Sequence, residues 1–352
     1  MERMKLAVIF GGMSTEHDVS IVSGMSILKN LNKEKYEVYP IYIDQKGIWY
    51  KYIGNLNEIE LPKVGEEVTE IELLQNSFEY LKNMHCIFPV LHGLYGEDGT
   101  IQGIFELLKI PYVGCRVLAS SICMDKVYAK IIFKKAGINQ ANYCYVRENN
   151  GEYIYIDEEF NEIKNSLEDV SKLIEEKQKY PMFVKPSNSG SSVGITKVNN
   201  YEELMNGIKY ASKFDKKILI EEGINGREVE CAVLGNEDVI AGCVGEVLSA
   251  EEFYSFDSKY NNSESKTVIP ANLPKDIYEE IRRLAIKAFK TVDGKGLSRV
   301  DFFVENETNR IIINEINTLP GFTAISMYPK LFEKAGINYS ELLDKLIELA
   351  ME

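Results

Sequence analysis

The sequence predicts an N-terminal α/β domain followed by two α+β domains. Three observations carry this reading. Apolar strands alternate with helical patterns up to about residue 116, as they do around a parallel sheet. Beyond that point, strands come in neighbouring runs joined by short polar turns, as in antiparallel sheets. The chain has 352 residues, enough for about two or three domains, and an apolar share of 45% that can fill their cores.

The elements follow in order. "KLAVIFGG" is an apolar run ending in Gly-Gly, which suits a buried strand and a tight turn. Ser14 or Thr15 is placed to cap a helix whose inner face holds Val19, Val22, Met25 and Leu28. "YEVYPIYID" and "HCIFPVLHG" are the next strands, and "GEDG" leads into a helix bearing Ile101, Ile104, Phe105 and Leu108. This gives a first domain over 1–116. A helix over roughly 117–135 carries Asp125 and Lys126. It is followed by "NYCYVRE", a very charged helix over about 157–179, strand "MFVKP", loop "SNSGSSVG", strand "ITKV", a helix over 201–213 and strand "KILIEE". These make a second domain over 117–220. Strands "REVECAVLG" and "VIAGCVGEVL", a polar loop over about 249–267, a helix over 274–292, strands over 297–305 and 310–317 and a helix over 339–351 make a third, 221–352. Loops as long as the polar one are usually lids or disordered.

A formal net charge of −14 argues against a nucleic-acid partner. The six cysteines are scattered, with no CxxC pair, and read as reduced core thiols of a cytosolic protein. No apolar run is long enough to span a bilayer, and Lys5 onward reads as a strand rather than a signal peptide. A membrane partner is therefore not expected.

Four motifs point to chemistry. "GLSRVDFFVE" and "NRIIINEIN" form an expected hairpin that brings Asp301 within about one residue of lying opposite Glu315. Strict alternation puts Ile311, Ile313, Glu315 and Asn317 on one face, and Ile312, Asn314 and Ile316 on the other. Two carboxylates and an amide oxygen converging on one patch call for a hard divalent cation, and oxygen-only donors favour Mg²⁺ over Zn²⁺. A solvated hairpin face is the competing reading. "KPSNSGSSVG" offers the Lys185 cation and backbone amides to phosphate oxygens, or else is a mobile hairpin loop. "LHGLYGEDGTIQG" follows the end of a parallel strand, where ligand loops sit, with His92 toward the ligand and Glu97 and Asp98 capping the next helix. "FGGMSTEHDVS" lacks the GxGxxG spacing, so NAD binding is rejected; Glu16 falls in the first turn of its helix.

With these pieces placed, the chain resembles the D-alanine–D-alanine ligases of the ATP-grasp superfamily. The resemblance runs from "AVIFGGMSTEHDVS" through "LHGLYGEDGTIQGIFE", "MDK", "VKPSNSGSSVGITKV", "ILIEEGINGREVECAVLG" and "SRVDFF" to "NEINTLPGFT", in the family's order and over nearly the full length. It implies a three-domain ATP-grasp fold with a Rossmann-like N-terminal domain, and a cytoplasmic homodimer. The implied reaction joins two D-alanines at the expense of ATP, through a D-alanyl phosphate, for peptidoglycan synthesis.

The resemblance also implies roles. Asp301, Glu315 and Asn317 would hold two Mg²⁺ (or Mn²⁺) ions, and Lys126, Lys185 and Lys259 would contact phosphates. Glu221, Glu222, Ile224 and Phe253 would line the adenine end, with Glu228 on the ribose. Glu16 would take the ammonium of the first D-alanine beside Val19 and His92. Arg299 and the Gly321 amide would stabilise an oxyanion, and Ser326 would hold the second carboxylate. Tyr260, on the polar loop, would link to Ser191 and Glu16. Relatives that use D-serine or D-lactate as acceptor replace the loop tyrosine or carry arginine where this chain has Met327. Tyr260 and the apolar Met327 favour D-alanine, with a D-serine or D-lactate acceptor as the alternative.

Overall fold

The computed structural model describes residues 3–157, 159–248 and 266–352. Three sheets organise them. In the first, Met4–Gly11 lies between Tyr36–Ile43 and Cys86–Pro89 and is parallel to both. Its side chains alternate between two cores: Leu6, Val8 and Phe10 enter one, Ala7 and Ile9 the other. A strand covered on both faces is what the unbroken apolar run predicts. The expected all-parallel sheet is extended by two antiparallel strands, Trp49–Tyr52 and Ile71–Leu73, which sequence reading missed because they are only four and three residues long.

The second sheet is antiparallel, with Met182–Pro186 and Tyr143–Asn149 on either side of Lys217–Glu222. The charged helix expected over 157–179 is shorter. Glu152–Ile156 and Glu162–Asn165 are strands of this sheet, and the helix is Leu167–Lys177. "EYIYI" is rich in aromatic and β-branched residues, and Ser166 accepts from Asp169 N as a helix cap, so local chemistry starts the helix late. Lys217–Glu222 carries this sheet two residues past the border expected at 220.

The third sheet runs Lys266–Val268, Ile240–Leu248, Gly226–Leu234, Leu297–Glu305, Ile311–Asn317. One core beneath it includes Val229, Val300, Phe302 and the inner face of Lys275–Thr291. The helix expected over 117–135 is two, Val117–Met124 and Lys126–Lys135. They break at Asp125, whose backbone is extended and whose carboxylate caps the second helix. Ala119, Cys123, Ala129 and Phe133 of these helices belong to the core of the third sheet. The C-terminal helix Tyr339–Ala350 packs Leu342, Leu343 and Leu346 into the core of the first. The chain thus crosses between sheets more often than sequential domains imply. No helix among the described residues is long and apolar enough to cross a membrane.

Candidate active site

A cleft of about 600 Å³ opens where the three sheets meet. At one wall, Leu297–Glu305 pairs with Ile311–Asn317 so that Asp301 faces Glu315 and Arg299 faces Asn317. The register slips between Asp301 and Phe302, which leaves Asn314 as an extra residue. Strict alternation therefore fails. Ile311, Ile313 and Ile316 share the buried core, and the bulge turns Glu315 and Asn317 into the cleft. The predicted grouping of Ile313 with Glu315 is corrected by this one-residue shift.

Arg299 donates from Nε and Nη2 to the two Asp301 oxygens at 2.8 and 2.7 Å, and its Nε lies 3.1 Å from Glu230 Oε2. Burial disfavours its charge, but Asp301 and Glu230 outweigh that and raise its pKa. Asn317 Nδ2 donates to Asp301 Oδ2 at 3.0 Å.

A second wall is basic. Lys126 Nζ donates to Ser189 O at 2.5 Å and lies 3.8 Å from Glu315 Oε2, so it bridges the Gly/Ser loop and the carboxylate wall. Asp125 anchors that loop. Its carboxylate accepts from Ser187 Oγ at 2.7 Å, from Val127 N and Tyr128 N, each at 3.1 Å, and from Lys217 Nζ. Lys185 pairs with Glu221 Oε1, and Lys130 lies 2.9 Å from Oε2. Burial would push the Glu221 pKa up, but the two lysines hold it at about 2. Glu222 accepts from Asn142 N and Nδ2 at 3.0 and 2.9 Å, at the rim. Ile224 and Glu228 line the same end of the cleft.

The third wall gathers groups from distant elements. Glu16 occupies the N-cap position of His17–Asn30, and its carboxylate accepts from Ser191 Oγ, 175 residues away. The expected cap by Ser14 or Thr15 does not form. Instead Ser14 Oγ donates to His92 O at 2.6 Å and accepts from Glu16 N at 3.1 Å, tying the two loops. A Cβ on Gly93 would sit 2.6 Å from Glu16 Oε2, and Gly190 closes on the same oxygen, so both glycines make room for this carboxylate.

His92 is buried between Leu319 O (3.0 Å) and Ser23 Oγ (3.1 Å), with Glu97 3.7 Å from Nδ1. Burial opposes its protonation, but Glu97 and Glu16 raise its pKa. Glu97 therefore serves His92 rather than capping the following helix, whose N-cap is Gly99. Ser326 Oγ accepts from Thr323 N at 2.9 Å, beside Gly321. Met327 lines the cleft while packing into the first core. Val19 is buried but does not line the cleft. Phe253, Lys259 and Tyr260 lie outside the described residues, as does the polar loop expected over about 249–267 except for its last two positions, which belong to the strand Lys266–Val268.

Two family models match the chain, "D-ala D-ala ligase N-terminus" over residues 5–115 and "D-ala D-ala ligase C-terminus" over 132–348. The D-alanine–D-alanine ligase of Acetivibrio thermocellus is 49% identical, covering 100% of this chain and 96% of that protein. That of Clostridium acetobutylicum is 48% identical, covering 99% and 98%. The chain belongs to the D-alanine–D-alanine ligase family. Among solved structures, the VanG D-Ala:D-Ser ligase of Enterococcus faecalis superposes with a TM-score of 0.85 at 38% identity, covering 99% of this chain and 100% of that one. The D-alanine–D-alanine ligase of Coxiella burnetii gives 0.81 at 32%, covering 100% and 94%. The fold is that of the ATP-grasp ligases.

Membership of the D-alanine–D-alanine ligase family implies use of ATP and of a divalent metal ion. The donor set fits such an ion. Among the described residues no group of three or more His, Cys, Asp or Glu side chains is arranged to hold a metal. Here Asp301 and Glu315 are opposed carboxylates with the amide of Asn317 in the same cleft, oxygen donors that would suit a divalent ion completing its shell from water and substrate phosphates. Sequence reading missed Glu230, Lys130 and Asp125 in their present roles. Alternation marks Glu230 on the face of Glu228. Nothing local distinguishes Lys130 from the other lysines of its helix.

Proposed function

We propose that this chain joins two D-alanine molecules to D-alanyl-D-alanine, with ATP cleaved to ADP and phosphate, as a step of peptidoglycan synthesis. The observation that carries the proposal is the convergence of the Asp301–Glu315 pair, the Lys126–Lys185 wall and the Glu16–Ser191 contact on one cleft. Glu16 takes the ammonium of the first D-alanine, and His92, held by Leu319 and Ser23, fixes the loop beside it. Lys126 and Lys185 hold the nucleotide phosphates, Glu221, Glu222 and Ile224 border the base, and Glu228 takes the ribose hydroxyls. Asp301, Glu315 and Asn317 would hold two Mg²⁺ (or Mn²⁺) ions, which would supply positive charge against the phosphates. The carboxylate of the first D-alanine attacks the γ-phosphate to give D-alanyl phosphate. The amine of the second attacks its acyl carbon while Arg299 and the Gly321 N–H stabilise the oxyanion. Ser326 holds the second carboxylate, and Met327 gives its methyl group an apolar wall. Lys259 also contacts the phosphates, Phe253 the adenine, and Tyr260 links to Ser191 and Glu16, where the acyl phosphate must be kept from water.

We place the enzyme in the cytoplasm as a homodimer, with domains over 1–116, 117–220 and 221–352. Six free cysteines fit a reducing compartment. The test is product analysis with ATP, Mg²⁺ and D-alanine, offering D-serine and D-lactate as competing acceptors. D-alanyl-D-alanine is the expected main product. A dominant mixed product would overturn the acceptor assignment, and no phosphate release with any acceptor would overturn the activity.

A further inference from the structure

Glu221 is shared by two lysines from different elements. Lys185 reaches its Oε1 from the strand Met182–Pro186, and Lys130 lies 2.9 Å from its Oε2, one turn beyond Lys126 on Lys126–Lys135. The side chains are 12%, 4% and 6% exposed for Lys185, Lys130 and Glu221. Two cations against one carboxylate leave a surplus positive charge in a buried place. Burying a charge without a counter-charge is costly, so this arrangement suits an anion that arrives from the cleft all three residues line. The lysines are not equivalent. Lys185 is the more exposed and stands over the Phe183 ring at the cleft wall, while Lys130 is sealed in over the Tyr143 ring.

We propose that Lys130 is a positioning residue for the nucleotide. It holds the Glu221 carboxylate, so that Lys185 is free to turn from Glu221 to a phosphate without stranding a buried negative charge. This rests on the reading that Lys185 meets a nucleotide phosphate. With methionine at 130, Glu221 keeps Lys185 as its only strong partner of this pair, and turning Lys185 to a phosphate leaves the carboxylate unpaired. The loss then falls on phosphate binding and not on adenosine binding. Removing the Glu221 charge as well unlocks Lys185.

The experiment is calorimetric binding of ADP and of adenosine to the full chain, reported as the ratio of the two affinities, with melting curves to establish folding. Lys130→Met is expected to lower the ratio about tenfold, the worth of one charged hydrogen bond. Lys130→Met combined with Glu221→Gln is expected to bring it back to within about threefold of the parent. A packing role for Lys130 predicts no such recovery. If the methionine variant does not fold, Lys130→Gln and its combination with Glu221→Gln give the same comparison. An unchanged ratio in the single variant, or a double variant as low as the single, overturns the proposal. A parent protein that binds ADP no better than adenosine overturns the Lys185 phosphate reading itself.

Discussion

Replacing Asp125 by asparagine removes one negative charge and leaves the shape of the side chain. An asparagine oxygen can still accept from Val127 N, Tyr128 N and Ser187 Oγ, so the helix cap survives. The other oxygen becomes an NH₂ group facing Lys217 Nζ, two donors against each other. A hydrogen bond to a charged group contributes about 1.5–3 kcal/mol, and Lys217, partly exposed and over the Tyr128 ring, recovers some of that from water. The net cost is about 2 kcal/mol at pH 7. Its pH dependence has a definite sign. Burial opposes the charge of Asp125, but Lys217 and Ser187 outweigh it and hold the pKa below the ordinary 3.8. A lowered folded-state pKa gives stability that is present above about 3.8 and lost as pH falls through the folded value. Urea denaturation of both proteins at pH 7 and on acidification below pH 4 reads the difference. The asparagine variant should be less stable at pH 7, and the gap should shrink in acid as Asp125 itself takes up a proton. Equal midpoints at pH 7, or a gap undiminished at low pH, would mean that the Asp125 charge does not stabilise this loop.

Other substitutions test other walls of the cleft. Gly190→Ala places a methyl group against the Glu16 carboxylate, so KM for D-alanine should rise roughly tenfold or more while the melting temperature moves little; steady-state kinetics and a melt separate the two. Ser191→Ala removes the hydroxyl on Glu16 and should raise the same KM up to about tenfold, with KM for ATP unchanged. Glu315→Gln takes one carboxylate from the opposed pair in the cleft, and kcat should fall on the order of a hundredfold or more, the fall read as phosphate release at saturating substrates. Phe302→Ala opens a hole in a fully buried position of the third core and should cost about 3–5 kcal/mol by denaturation.

The strands over 297–305 and 310–317 were legible from the sequence nearly to the residue, because both combine β-branched and aromatic residues with clear turn chemistry between them. The side on which their residues fall was not, because the extra Asn314 is invisible to a rule of strict alternation. The helix break at Asp125 was hidden in an apolar pattern that continues on both sides, and only the contacts with Ser187 and Lys217, some 60 and 90 residues away, account for it. Glu16, Lys126, Lys185, Arg299, Asp301, Glu315 and Asn317 were named from motifs or from the family resemblance and do line one cleft. Glu230 and Lys130 escaped because a buried charge is recognised by its partners, and those partners lie on strands remote in sequence.

In the proposed reaction the first D-alanine is activated by its own carboxylate taking the γ-phosphoryl group. D-alanine labelled with ¹⁸O in its carboxyl group, turned over with ATP and Mg²⁺, tests that directly by mass spectrometry of the phosphate released. One ¹⁸O in phosphate for each D-alanyl-D-alanine formed, with ADP as the nucleotide product, is the predicted result. Unlabelled phosphate beside the dipeptide, or AMP in place of ADP, would rule out an acyl phosphate formed by the carboxylate.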